Sequence, residues 1–436
     1  MRAITGTAAR TAWLALTLVV LLAGDAVRFT TGWWTFGILA LLVGAYAVVL
    51  LVAQRDRWRI GTLPYPLLAF LALATLSLIW SFYPAATALG LLTTWLIAVA
   101  ALAAAVAVTW AELLAVLATV LRGILGLSLL FELFVSVIIR GPILPLFTQP
   151  GVDYSLYDKL PKMLYWSRNE LFEVFDEGRI QGIVGNANNL GMLALIALVV
   201  FALQFADRSA GRRWSGLWIL IALVTLVFTR SATVTVAIVV VVAVALAALL
   251  VRRARTARAR AITWTAIVAV VVAAVAAVLA FSGTLLALLG KSPDLTGRFG
   301  IWEKVIGFAQ ERPVAGWGWV SFWMPWAPPF DELAFRNGVR QLQAHDSWLD
   351  IWFQLGILGL IVFGALIVSS LIRTASFALD RPPGATKYTA ATLFPLLLLA
   401  ALLVQSIAES RLLVEYGFFF VVVIAVKSKR ESATAG

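Results

Sequence analysis

QAHDSWLDIWFQLGILGL (343–360) passes within a few residues from polar chain into an apolar helix, and it holds His345, the only histidine of the protein. Upstream, LTGRFGIW (295–302) and ERPVAGWGWVSFW (311–323) gather arginine, glycine and tryptophan. Together they form a polar stretch, 283–346, set between two apolar runs. A loop of that length between helices is uncommon unless it is functional. Arginines, glycine turns and a lone imidazole concentrated in it point to a site.

Outside this stretch the chain is mostly hydrocarbon. Apolar residues make up 62% of it and charged residues 13%, with a mean hydropathy of +0.95. One soluble core could not hide that much apolar surface, so the bilayer is the solvent. The net charge of +12 does not indicate nucleic acid, because the basic residues fall between runs of spanning length, where they act as topology signals. With no cysteine and one histidine, disulfides, thiol nucleophiles, Cys-type metal sites and a His-rich metal cluster are excluded.

The pattern predicts an all-α polytopic membrane protein of about twelve transmembrane helices, 1–436 forming one integral membrane domain. The run from about Thr11 resembles a signal peptide, but the next run follows at once, so it reads as a retained first helix. Basic clusters at QRDRWR (54–59), DRSAGRRW (207–214), RRARTARARA (252–261) and KSKR (427–430) place both termini in the cytoplasm. That count puts two long loops outside: a first, 140–182, polar and mixed in charge, and a second, 283–346, carrying the site. The expected location is the cell's inner (plasma) membrane, crossed many times.

Several charges interrupt the apolar pattern. Arg122 and Glu132 lie inside the fifth span, where a charge is a functional candidate by default, although Arg122 also fits snorkelling. Asp25 stands at the outer end of the first span. GRIQGIVGNANNLGM (178–192) reads as an Asn and Gly turn capping a helix, and also as Arg179 with free amides facing an anionic head group. Arg230, in TRSAT (229–233), breaks the positive-inside trend. Arg179, Arg230 and Arg298, His345 and Glu409 are then the outer groups available for chemistry. Several guanidiniums suit a phosphate or pyrophosphate through paired charge-assisted hydrogen bonds. An imidazole suits proton abstraction from a sugar hydroxyl, yet on spacing His345 also fits an interfacial helix cap beside Asp346. No P-loop and no Asp-x-Asp dyad appears in either loop, so no metal, nucleotide or other cofactor is indicated.

LTGRFGIW, ERPVAGWGW with its Phe322–Trp323 pair, and AHDSWLDIWFQLGILGL resemble the signature of the O-antigen ligase and Wzy-type polymerase superfamily. GRIQGIVGNANNLG, TRSAT and SLIWSFYP (77–84) resemble its earlier motifs, so the likeness runs from about Ser77 to Glu409. Phe322–Trp323 and HDSWLDIWFQLG are most similar to exopolysaccharide polymerases of the ExoQ type. The resemblance implies a GT-C-like membrane fold and a metal-independent, inverting glycosyltransferase. Its donor would be a polyprenyl-pyrophosphate-linked glycan on the outer leaflet, and its acceptor a hydroxyl of a glycan or lipid-glycan, in cell-surface polysaccharide assembly. It also implies that Arg179, Arg230 and Arg298 hold the pyrophosphate and that His345 activates or orients the hydroxyl, with Glu409 a further candidate. Asp346 stands where many relatives have Asn. Ligation instead of polymerisation stays open, as does a transporter of lipid-linked glycan, although transporters usually place polar groups at the bilayer midplane.

Overall fold

The computed structural model describes residues 6–147, 152, 154–156, 160–167, 178–281, 283–284, 298–336, 339–380 and 388–435. Much of 140–182, and 285–297 of the second loop, lie outside the described residues. The helices are α1 (Thr7–Leu22), α2 (Gly24–Ala53), α3 (Tyr65–Leu76), α4 (Pro84–Ala107), α5 (Trp110–Phe134), α6 (Ala187–Asp207), α7 (Arg212–Thr229), α8 (Ala232–Arg253), α9 (Ala257–Ala280), α10 (Arg298–Glu311), α11 (Ser347–Leu379), α12 (Phe394–Ser406) and α13 (Glu415–Ala435). Every apolar run expected to span coincides with one of these, while α10 belongs to the second loop. The protein is thus an all-α polytopic membrane protein. Among the described residues, eight helices are long and apolar enough to cross a bilayer, and a bent pair, Arg55–Thr62 with Tyr65–Ile79, brings the number to nine. At 16 residues, α1 rises only about 24 Å, short of a hydrocarbon core of about 30 Å.

Local chemistry sets the helix ends. Thr109 and Glu112 form a reciprocal capping box at α5, Asn186 accepts from the amides of Asn188 and Asn189 at α6, and Asp346 accepts from those of Trp348 and Leu349 at α11. Each satisfies amide donors that the first helical turn leaves without a partner.

The core is built around α13, whose Phe418 to Val426 are almost wholly buried against α4 and α11. On α4, Ala100, Ala101, Ala103, Ala104 and Ala105 are buried, and small side chains of this kind allow close helix approach without water. Farther along α13, Lys427 Nζ donates to the Val108 carbonyl at 2.6 Å, supplying a cation to the free carbonyls that end α4. By contrast, α9 has no buried residue and presents its apolar side chains to lipid.

The second loop is threaded into this bundle. At Gly356 (φ +65°) α11 departs from helical geometry, and a Cβ there would meet the Val314 carbonyl oxygen at 2.1 Å. The freed helix groups pair with the loop: Trp317 N–H donates to Phe353 C=O at 3.0 Å, Gly318 N–H to Gln354 C=O at 2.9 Å, and Ile357 N–H to Pro313 C=O at 2.8 Å. Gln354 Oε1 in turn accepts from the amides of Val320 and Ser321, both at 2.9 Å. Trp319 is fully buried; its amide donates to Ser77 Oγ and its indole to Thr94 Oγ1, both at 2.9 Å. Backbone without regular structure survives at membrane depth only where protein satisfies it, and here Ser77, just past α3, and α11 do so.

Candidate functional site

Four of the five sequence-chosen residues converge on one carboxylate. Glu409 follows α12 and is 5% exposed. Its Oε2 faces His345 Nδ1 at 3.0 Å and accepts from Gln343 Nε2 at 2.9 Å. Its Oε1 accepts from Arg298 Nη2 at 3.3 Å and from Asn188 Nδ2 at 3.1 Å. Arg179 joins through Asn188: its Nη2 donates to Asn188 Oδ1 at 2.8 Å and its Nε to the Thr229 carbonyl at 2.8 Å. Residues from four separate stretches, 179–188, 298, 343–345 and 409, therefore meet. Burial opposes ionisation of Glu409, but His345 and Arg298 with the Asn188 amide outweigh it and hold the carboxyl down to about 2. It is a fixed anion that orients its neighbours.

His345 sits one residue ahead of the cap of α11 with φ +54°, a left-handed conformation uncommon for a residue with a side chain. The cap itself is Asp346, and burial pushes its carboxyl up from the ordinary value despite the capping amides and Arg298. The capping role that His345 was expected to contest thus falls to its neighbour Asp346. A carboxylate can only accept, so the Glu409 contact places the proton on Nδ1. Nε2 then faces Gln341 Oε1 at 3.1 Å, while the Gln341 amide nitrogen donates to Val339 C=O at 2.9 Å. Gln341 Oε1 can only accept, so Nε2 bonds it through a proton of its own and must be rid of that proton and the contact before it can receive one from a substrate.

Arg230 is the exception among the five. It ends α7 in the left-handed region with its side chain exposed, and it lies between two residues of the network. Thr229 receives the Arg179 Nε, and Ser231 Oγ donates to Asn188 Oδ1 at 3.0 Å. The amides of the 178–192 turn are also not the free donors expected for a head group. Those of Gln181 and Gly182 donate to Glu132, at 2.8 and 2.7 Å, and that of Ile183 to Ser128 Oγ at 3.3 Å. Asp25 is engaged by Arg28 at 2.5 Å, and Arg122 Nη2 by Gln204 Oε1 at 2.6 Å.

Asn188, Gln341, Gln343 and Asp350 escaped the sequence reading, although all lie in the quoted motifs or beside them. Asp350 is fully buried and accepts from Trp323 Nε1 at 2.7 Å, Ala344 N–H at 3.1 Å and the Ser410 hydroxyl. It thereby joins the second loop to the turn that bears Glu409. Among the described residues no three or more His, Cys, Asp or Glu come together as a metal site.

Fold and network together define a multi-pass membrane protein whose polar chemistry gathers where the two loops meet the helix ends. Residues 216–364 match the family model Wzy_C, O-antigen ligase. The match covers about a third of the chain and agrees with the superfamily that the motifs resemble. The matched span includes Arg230, Arg298 and His345, whereas Arg179 and Glu409 lie outside it. No curated protein matched the chain.

Proposed function

We propose that this protein is a metal-independent, inverting glycosyltransferase that moves a glycan from a polyprenyl pyrophosphate to a sugar hydroxyl on the outer leaflet of the inner membrane, with both termini in the cytoplasm. The observation that carries this reading is the convergence of Arg298, His345 and, through Asn188, Arg179 on the single carboxylate of Glu409. Two guanidiniums and an imidazole gathered at one buried carboxylate suit an anionic donor. Arg230, exposed at the same helix junction, completes the pyrophosphate-binding set.

In the reaction, the acceptor hydroxyl takes the place of the Gln341 oxygen at His345 Nε2, with Nδ1–H held by Glu409. Its oxygen attacks the anomeric carbon from the face opposite the leaving group, the bond to pyrophosphate breaks, and the hydroxyl proton passes to Nε2. Charge developing on the departing oxygen meets Arg298 and Arg179. Fixed donors aimed at such charge contribute on the order of 10²–10³ each in rate.

Polymerase is favoured over ligase by the likeness of Phe322–Trp323 and HDSWLDIWFQLG to ExoQ-type exopolysaccharide polymerases. The test is the lipid-linked glycan that accumulates in cells lacking the protein. Single repeat units are expected. Accumulated long chains would assign ligation instead, and an unchanged profile would remove the transferase reading altogether.

A further inference from the structure

Glu132 is a carboxylate carried within a spanning helix, α5 with its extension to Ile139, and it is 1% exposed. Its Oε1 accepts the amides of both Gln181 and Gly182, and its Oε2 accepts the Ser167 hydroxyl at 2.9 Å. Four residues earlier on the same helix face, Ser128 Oγ accepts the next amide, Ile183. One face of α5 therefore takes three consecutive backbone donors. Successive amides around a left-handed residue form a concavity for anions, and Gly182 supplies that residue at φ +59°. A Cβ at Gly182 would lie 2.4 Å from that of Ser128, so the approach requires glycine. Gln181 Nε2 adds bonds to the carbonyls of Tyr165 and Trp166, both at 3.1 Å.

Immediately before this turn, Ile180 N–H donates to Phe228 C=O at 3.1 Å, and Arg179 reaches Thr229 and Asn188. Immediately after it, Asn186 caps α6 and Asn188 bonds Glu409. The turn is thus the mount for one side of the site.

We propose that Glu132 is a positioning residue for Arg179: it fills the amide concavity of 181–183 with the protein's own carboxylate, which fixes the turn and denies that concavity to the anionic substrate. This rests on the transferase reading for its catalytic consequence, but the geometry can be tested separately. In Glu132→Gln one side-chain oxygen still accepts both amides, whereas Glu132→Ala leaves them without an acceptor, and Glu132→Asp keeps the charge on a side chain one methylene too short.

The experiment measures hydrogen exchange of the 180–184 amides in the full-length protein, together with transfer from a polyprenyl-pyrophosphate glycan. Gln is expected to keep the amides protected and transfer within about threefold of wild type. Ala and Asp should lose protection and about tenfold or more in kcat/KM, the scale for stranded buried donors. Combining Asp with Arg179→Ala should lower transfer no further than Arg179→Ala alone, because coupled groups do not add. If Gln fails as Ala does with its amides still protected, the carboxylate acts chemically and the positioning role is wrong. Full protection in the Asp variant would overturn it too. Should Ala fail to accumulate, the Gln and Asp arms decide. Wild-type protein with protected amides and no transfer would sink the transferase reading alone.

Discussion

Two buried ionic clusters share the short turn between α12 and α13, and they are built to opposite plans. In one, Arg28 bonds Asp25 and Glu415, and Arg411 bonds Glu415. Two cations meet two carboxylates, and the Arg28 guanidinium is further covered by Phe36 at 4.6 Å and Trp33 at 5.0 Å. Burial works against the Arg411 charge, but Glu415 and Asp25 more than offset it and raise it above its ordinary value. In the other, among the described residues, Glu409 faces His345 and Arg298 directly and Arg179 through Asn188. A balanced cluster joins helix ends and has no use for a further ion. On the proposed reading the second cluster takes an anionic ligand, which would set a binding site apart from a structural rivet of similar composition.

The strongest way to break the contrast is His345→Ala, which should abolish transfer with the protein still folded in the membrane. Wild-type activity in that variant would demote the imidazole to a neighbour of the helix cap. Glu409→Gln comes next. It keeps the shape but removes the charge that holds Nδ1–H, and the comparable loss in a serine-protease triad, about 10⁴, sets the upper end of a drop of roughly 10²–10⁴ in kcat. Because Glu409 is held at about 2 against an ordinary 4.5, its ionisation stabilises the fold fully above the ordinary value and is lost as pH falls toward 2. The difference in thermal midpoint between wild type and Glu409→Gln should therefore shrink as pH falls below about 5.

Arg298→Lys should be nearly as damaging as Arg298→Ala, at about 3–4 kcal/mol of barrier, since a lysine lacks the planar fork that grips a pyrophosphate at two points. Lysine within a few-fold of wild type would make Arg298 a general charge. Arg28→Ala should show the reverse pattern. Removing the Arg28 partner of Asp25, with Glu415 still held by Arg411, should cost about 3 kcal/mol of stability, read as a lower melting temperature, while transfer per folded molecule changes little. A large loss of transfer at unchanged stability would erase the distinction between the clusters. The gentlest test concerns sidedness: in this Cys-free chain, cysteine at Ser155 should react with an impermeant thiol reagent from outside, and at Ser209 it should not. Ser321, also in the second loop, is 4% exposed and would be a poor probe.

The helices were legible because membrane spans are written as long uninterrupted apolar runs, and every run became a helix. Arg179, Arg298, His345 and Glu409 were legible because charged residues beside such runs are rare. Their partners were not. Asn188 meets Glu409 across 221 residues of chain and Gln343 meets it across 66; neutral amides carry no signal at that range. Glu132 stood out as an intramembrane charge, but its partners are backbone amides, which every residue except proline possesses, so no sequence pattern could name them. Arg28 and Glu415, 387 residues apart, were invisible as a pair for the same reason.

The break in α11 at Gly356 also constrains how the chain is made. The helix emerges during synthesis only after the loop segment that must occupy its gap, and hydrocarbon offers no temporary partner for the exposed backbone. Residues 312–318 and the first three turns of α11 should therefore enter the bilayer as one insertion unit. Lengthening that loop by a few residues would then be read by the cell's membrane quality control as a misinserted helix, well before any effect on catalysis could be measured.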